Sequence, residues 1–265
     1  MRVRSDIQGV GMPRPTISVI FTCKGRSELT ELCLRRFKEL MPQPYELIVA
    51  YDGNSTGYLD MLTEAGHPDR IVVKDKGMSR FTLINEALDY ASGELFMHLE
   101  NDFYWVDESC LESALKALDK YHIDFIRFEL LPFTINQFNR FEIVGDHDIC
   151  WMKPETPYRW NLNPHIRTFK VPGGKSLKDG NFTEQPERHH GEGYNGTSCC
   201  MSGDNFRHLG IYDESGHFKE YYAERFFNKR AKRTATKDEL IEEFNHATNN
   251  VLYQQLFKEY LAGVP

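Results

Sequence analysis

Apolar residues along this chain fall into two alternating rhythms. Short, unbroken apolar runs rich in β-branched side chains are "TISVIFTC" (16–23), "YELIVAYDG" (45–53), "RIVVKD" (70–75), "ELFMHL" (94–99) and "DFIRFELL" (124–131). Runs of this kind suit strands buried on both faces, as in a parallel sheet. Between them lie segments of helical period. "SELTELCLRRFKEL" (27–40) carries Leu29, Leu32, Cys33, Phe37 and Leu40 on one face, with Ser27, Thr30 and Glu31 as its start signal. "RFTLINEALDYAS" (80–92) reads as a helix that stops at Gly93. "DESCLESALKALDKY" (107–121) reads as one capped by Asp107, with Glu108 in its first turn. Strands alternating with helices predict an α/β fold of βαβ units around a mainly parallel central sheet flanked by helices. Such sheets bind ligands beyond the carboxyl ends of their strands.

From about Pro132 to Gly203 no long periodic segment appears. Trp151, Tyr158, Trp160, Phe169, Phe182 and Tyr194 are interleaved with Pro and Gly, and residues 171–196 form a long polar stretch. Loops of that length in a folded domain are usually binding loops. A basic run, "NKRAKRTATK" (228–237), precedes an amphipathic helix with Leu240, Ile241, Phe244, Ala247, Val251 and Leu252. The expected organisation is one domain over 1–265: a strand-rich half (16–131), a loop-rich half (132–236) and a C-terminal helix (237–265).

Composition narrows the classes. Over 265 residues the net charge is −7, which argues against a general nucleic-acid binder. No apolar run approaches the roughly 18 residues that a membrane-spanning helix needs, so no such helix is expected. The first residues, "MRVRSDIQGVGMPRP", lack the apolar segment of a secretory signal. Cys23, Cys33, Cys110, Cys150, Cys199 and Cys200 are scattered without CxxC spacing, so reduced thiols and a cytoplasmic location are expected. The neighbours Cys199 and Cys200 read as core-facing or site-lining thiols. The Asn-x-Ser/Thr matches at Asn54, Asn181 and Asn195 are then not glycosylation sites.

Charge returns at the ends of strands. Asp52-Gly53 closes the second run, and Glu100-Asn101-Asp102 follows the fourth directly. Carboxylates at the end of a buried strand are costly without a partner. Residues two apart on an extended strand face the same side, so Glu100 and Asp102 could converge on a divalent cation whose shell a bound diphosphate completes. A solvated acidic turn is the alternative.

Spacing adds weight to the cation. "ISVIFTCKGR" leads, "IVAYDGNSTG" follows, then come Asn85, Ala91 and Gly93, and then Glu100 and Asp102. Over 16–105 this train resembles the family 2 glycosyltransferases of the GT-A fold, a Rossmann-like architecture with a loop-rich acceptor-side half. Two positions depart from the family pattern: Tyr51 replaces the first Asp of Asp-Asp-Gly-Ser, and Glu100 the first Asp of Asp-x-Asp. Further on, "FRHLGIYDE" (206–214) resembles the family's acceptor-side segment.

The resemblance implies an inverting, metal-dependent sugar transferase using a nucleotide-diphosphate donor, with a UDP-linked sugar as the expectation, and a glycan, lipid-linked or other hydroxyl acceptor. It implies Asp102 as ligand to Mn²⁺ or Mg²⁺, with Glu100 touching the ribose or a metal-bound water and Asn101 beside them. Asp52 would accept a bond from the base, with Thr22 lining the same pocket; a cap and a core hydroxyl are the plainer readings. Arg80, Lys74 and Lys76 could reach the phosphates or form surface ion pairs. Counting back from Arg230 places Glu224 at the position of the general base, with Glu220 as runner-up. His246, or else His189 and His190, could complete the metal site, though a lone His on an amphipathic helix is more often structural. Trp151 and Trp160 could stack on a sugar or simply pack. The basic run reads as a solvated helix end, or as a contact to phosphates or to an anionic membrane surface. A nucleotidyltransferase, which usually opens with a Gly-rich phosphate loop, and an inactive nucleotide-sugar binder are the alternatives.

Overall fold

The computed structural model describes residues 17–41, 44–74, 80–128, 138–152, 164–168, 197–201 and 205–209. Strand β1 (Ile17–Cys23) is buried along its whole length, as an unbroken apolar run requires. Helix α1 (Ser27–Leu40) follows, burying Leu29, Cys33, Leu34, Phe37 and Leu40. Next come β2 (Tyr45–Tyr51), α2 (Thr56–Gly66), β3 (Arg70–Val73), α3 (Arg80–Asp89) and β4 (Leu95–Glu100). After the acidic turn the chain forms β5 (Phe103–Trp105), α4 (Ser109–Tyr121), β6 (Phe125–Phe128), β7 (Phe138–Val144), β8 (His147–Met152), β9 (His165–Thr168), β10 (Ser198–Met201) and β11 (Phe206–His208).

The main sheet has nine strands in the order β3-β2-β1-β4-β9-β6-β10-β8-β7. Strand β1 pairs in parallel with β2 and with β4, and β2 in parallel with β3. Strands β8 and β9, both from the second half of the chain, run against their neighbours; all others point one way. The sheet is therefore mainly parallel, with antiparallel strands inserted on one side. The aperiodic second half does contribute strands: β9 to β11 are three or four residues long, and the longer β7 and β8 are interrupted by polar residues.

The alternation of each strand divides the core in two. On one face Val19, Phe21, Leu47, Val49, Met97 and Ile126 meet the apolar stripes of α1, α2 and α4. On the other, Ile20, Ile48, Ala50, Val72, Phe96 and Phe125 meet Leu83, Ile84, Ala87 and Leu88 of α3. Helix α2 was not foreseen. Its buried stripe is thin (Tyr58, Leu62, Ala65, Gly66), but Ser55 caps it by accepting from the Tyr58 N–H at 3.4 Å. The start of α4 differs slightly from expectation. Asp107 precedes the helix by two residues and accepts from the Ser109 N–H at 2.8 Å, and its other oxygen meets His147 Nε2 at 2.9 Å. All six cysteines are free and buried.

A close approach fixes the register before β4. A Cβ at Gly93 would stand 2.7 Å from the Ser18 backbone N and 2.8 Å from Ser18 Oγ. The Gly93 N–H itself donates to Ser18 Oγ at 2.8 Å and to Glu46 Oε1 at 3.0 Å. Gly93→Ala should therefore destabilise the protein by about 1–3 kcal/mol through overpacking against β1. Urea unfolding measures this, and an unchanged midpoint would contradict the contact.

Candidate active site

The parallel register sets the site. Thr22 lies opposite Ala50 on one side and Glu100 on the other, so β1, β2 and β4 end level with one another. The cleft beyond those ends is lined by Thr22, Lys24, Arg26, Asp52, Glu100 and Asn101, with Leu83 of α3. Acidic residues from sequence segments far apart thus reach one rim, as the strand pattern predicts.

The turn from β1 to α1 is unusual. Gly25 (φ 56°) and Arg26 (φ 52°) are consecutive left-handed residues, a conformation a side chain adopts only at a cost. A buried polar network holds it. The Gly25 carbonyl accepts from Tyr58 Oη at 2.8 Å, from Thr30 Oγ1 at 3.3 Å and from Asn101 Nδ2 at 3.3 Å. Asn101 Nδ2 also donates to Thr30 Oγ1 at 2.7 Å, and the Asn101 N–H donates to the Thr22 carbonyl at 2.9 Å. Asn101, between the two acids, thereby clamps the acidic turn to the turn after β1.

Strand alternation does not extend to Asp102, because β4 ends at Glu100 and the chain turns there. Glu100 lines the cleft. Asp102 is buried, and its Oδ2 pairs with Arg26 Nη2 at 3.0 Å. Its carbonyl accepts from the Leu209 N–H at 2.8 Å, which brings the start of the "FRHLGIYDE" segment beside the acidic turn.

Asp52 is held between two lysines, Oδ1 to Lys74 Nζ at 2.9 Å and Oδ2 to Lys24 Nζ at 3.2 Å. Burial alone would raise its carboxyl. The hydrogen bonds and charges of Lys74 and Lys24 outweigh that and hold it below the usual carboxylate value. Tyr51, where the family has an acid, points to the opposite face. There it stacks on Tyr58 with centroids 4.5 Å apart, and its hydroxyl accepts from the Ser55 N–H at 3.2 Å. That substitution leaves the cleft to Asp52. Thr22 Oγ1 donates to the Leu99 carbonyl at 3.3 Å, so its hydroxyl also serves the core. Cys23 lines the cleft as a thiol, since burial pushes it up to about 12.

Lys24 and Arg26 were missed in the sequence; their place just after the first strand's carboxyl end was the available signal. Arg80 opens α3, but its side chain lies outside the described residues, as do Lys76, Trp160, His189, His190, Glu220, Glu224 and His246. Trp151 sits on β8 and packs against the core. Among the described residues, no group of three or more His, Cys, Asp and Glu side chains gathers as a ready metal cage. The donors present are carboxylate oxygens, which suit Mg²⁺ or Mn²⁺ when a ligand's phosphates supply the rest. Asp102 already carries a cation, the Arg26 guanidinium, so its position is suited to positive charge.

A mainly parallel sheet with an acid-bearing cleft at the strand ends is an architecture of the GT-A type. The family profile described as "Glycosyl transferase family 2" matches residues 18–182, and the chain belongs to that family; it is a glycosyltransferase. Solved structures agree in fold. A mannosyltransferase, PcManGT from Pyrobaculum calidifontis, in complex with GDP-Man and Mn²⁺, is similar at TM-score 0.54 and 15 % identity, over 94 % of this chain and 75 % of that one. TarS residues 1–349 from S. aureus are similar at TM-score 0.51 and 16 % identity, over 93 % and 70 %. No curated protein matches the chain in sequence. No described helix is long and apolar enough to cross a membrane.

The lysine pair around Asp52 makes a testable electrostatic contribution. A depressed folded value gives stability that is complete above the unfolded value near pH 4 and lost as pH falls through the folded one. Lys74→Met should cost about 1 kcal/mol at pH 7, and progressively less as acid protonates the carboxyl. Urea unfolding across an acid pH series checks it; a loss independent of pH would assign Lys74 a packing role instead.

Proposed function

We propose that this glycosyltransferase is an inverting, metal-dependent enzyme. It moves a sugar from a nucleotide-diphosphate donor, a UDP-sugar by the resemblance, to a hydroxyl of a glycan or lipid-linked acceptor. The observation that carries this reading is the level ending of β1, β2 and β4, which puts Asp52 and the Glu100–Asp102 turn on one rim. The fold shared with a mannosyltransferase bound to GDP-Man and Mn²⁺ supports it.

Each residue has a task in this reading. Asp52, held ionised by Lys24 and Lys74, accepts from a ring N–H of the base. Thr22 forms the adjoining wall. Asp102 would hold a Mn²⁺ or Mg²⁺ beside the diphosphate, with His246 as a further ligand, Glu100 touching the ribose or a metal-bound water, and Arg80 near the phosphates. When bound, the cation supplies Lewis-acid neutralisation of charge on the leaving diphosphate. The sugar carbon passes through an oxocarbenium-like state, by analogy with glycoside hydrolysis. Glu224 takes the proton of the acceptor hydroxyl as it attacks from the opposite face, which inverts the anomeric centre. The basic run at 228–237 would suit an acceptor at an anionic membrane surface.

A thermal-shift panel of UDP- and GDP-sugars, with and without Mn²⁺, tests the reading. One donor should raise the melting temperature, and only with metal, by mass action. Asp102→Asn should erase the metal-dependent shift while leaving the circular dichroism spectrum intact; an undiminished shift would remove Asp102 from the metal site. Glu224→Gln should keep the donor shift and lower acceptor-stimulated release of nucleoside diphosphate by about 10²–10⁴-fold. Retained release would move the base to Glu220 or elsewhere.

A further inference from the structure

Arg26 joins features that the proposed mechanism leaves unused. Its guanidinium Nη2 lies 3.0 Å from Asp102 Oδ2, and the side chains are 43 % and 7 % exposed. A half-exposed cation therefore caps a buried carboxylate from the solvent side. The same side chain lines the cleft with Glu100 and Asp52. Its backbone is fixed separately. The Arg26 carbonyl accepts from the Thr30 N–H and Oγ1, both at 2.9 Å, and the Gly25 carbonyl beside it is held by Tyr58, Thr30 and Asn101. None of these bonds uses the guanidinium, so the side chain can turn while the strained turn stays put.

We propose that Arg26 is an exchangeable cation. Without donor it neutralises Asp102; when metal and diphosphate enter, it leaves Asp102 and binds the diphosphate. The inference rests on the reading of Asp102 as a metal-holding carboxylate. A buried carboxylate needs a positive partner at all times. A guanidinium and a divalent cation repel each other and cannot both close on Oδ2. The incoming diphosphate offers the displaced guanidinium a better acceptor, because its planar fork can bond two phosphate oxygens at once. Arg26 therefore competes with metal and cooperates with nucleotide. By linkage the metal is held weakly alone and firmly with donor, so the two load together. Such coupling opposes futile occupation of the rim by metal alone.

The test uses the full chain with Arg26→Gln and Arg26→Lys. Binding of Mn²⁺ alone is read from the electron paramagnetic resonance signal of the free ion, and binding of UDP at saturating Mn²⁺ by calorimetry. Arg26→Gln should bind Mn²⁺ alone about three- to fivefold tighter, the scale of an ion pair with one exposed partner. It should bind UDP about tenfold weaker, the scale of a lost charge-assisted contact. A residue that only props the turn would move both affinities the same way. Mn²⁺ affinity unchanged or weakened in a folded Arg26→Gln overturns the proposal. Arg26→Lys keeps the charge but not the fork. It should leave Mn²⁺ alone within about twofold of the parent and weaken UDP less than Gln does; should Gln not fold, the lysine variant decides, and unweakened UDP binding overturns the proposal. Asp102→Asn separates the two ideas. If it leaves Mn²⁺ binding unchanged, the metal assignment itself fails. If it abolishes Mn²⁺ binding while Arg26→Gln does not tighten it, only the exchange fails.

Discussion

The carbonyl of Gly25 is the fixed point of the site. Tyr58 of α2 and Asn101 of the acidic turn donate to it, and the Thr30 hydroxyl of α1 shares its one proton between this carbonyl and that of Arg26. Backbone left in the left-handed region at two successive residues relaxes unless its surroundings over-determine it. Here the surroundings do so, with buried hydrogen bonds that are costly to leave unmade. The result is that the end of β1, the start of α1 and the end of β4 move as one body. A cleft built on loops gains from that the precision of a sheet.

Electrostatics on this rim are internally balanced. Asp52 faces two lysines and Asp102 an arginine. The cations are the more exposed members: Lys24 is 72 % exposed against 17 % for Asp52. Lys24 and Arg26 lie on the solvent side of their acids, while Lys74 is nearly as buried as Asp52. A polyanionic ligand meets the bases first, at the solvent face, where Coulomb attraction steers approach. It then finds the acids behind them, already oriented.

Much of the fold was legible because its first half is regular. The helix over 27–40 and the apolar runs 16–23, 45–53, 70–75 and 94–99 follow from hydrophobic period alone, and the structure places strands within a residue or two of each. Helix α2 escaped because its buried stripe is thin and includes Gly66, which packs on Leu34. Strands β9 to β11, of three or four residues, carry little periodicity, while polar residues interrupt the apolar runs of the longer β7 and β8. At the site, Asp52, Thr22 and Glu100 were legible from their position at strand ends. Asn101 was read as a ligand contact, yet its side chain is committed to the buried network. The pairing of Arg26 with Asp102 spans 76 positions and has no local signature. Alternation does not relate Glu100 to Asp102, because it holds only while the strand lasts, and β4 ends at Glu100.

Strand order also constrains how this chain acquires its shape. Strand β9 lies between β4 and β6, and β10 between β6 and β8. The half that carries the acidic rim pairs among near neighbours in sequence. Beyond β4, however, the sheet stays interrupted until residues 165–168 arrive. Pairings over such separations are slow, since the loop must close before any ladder forms. During synthesis at the ribosome, the exposed margin of β4 would wait through some sixty residues of translation. That interval makes β4, the strand leading into the acidic turn, the part of the nascent chain most open to non-native edge pairing.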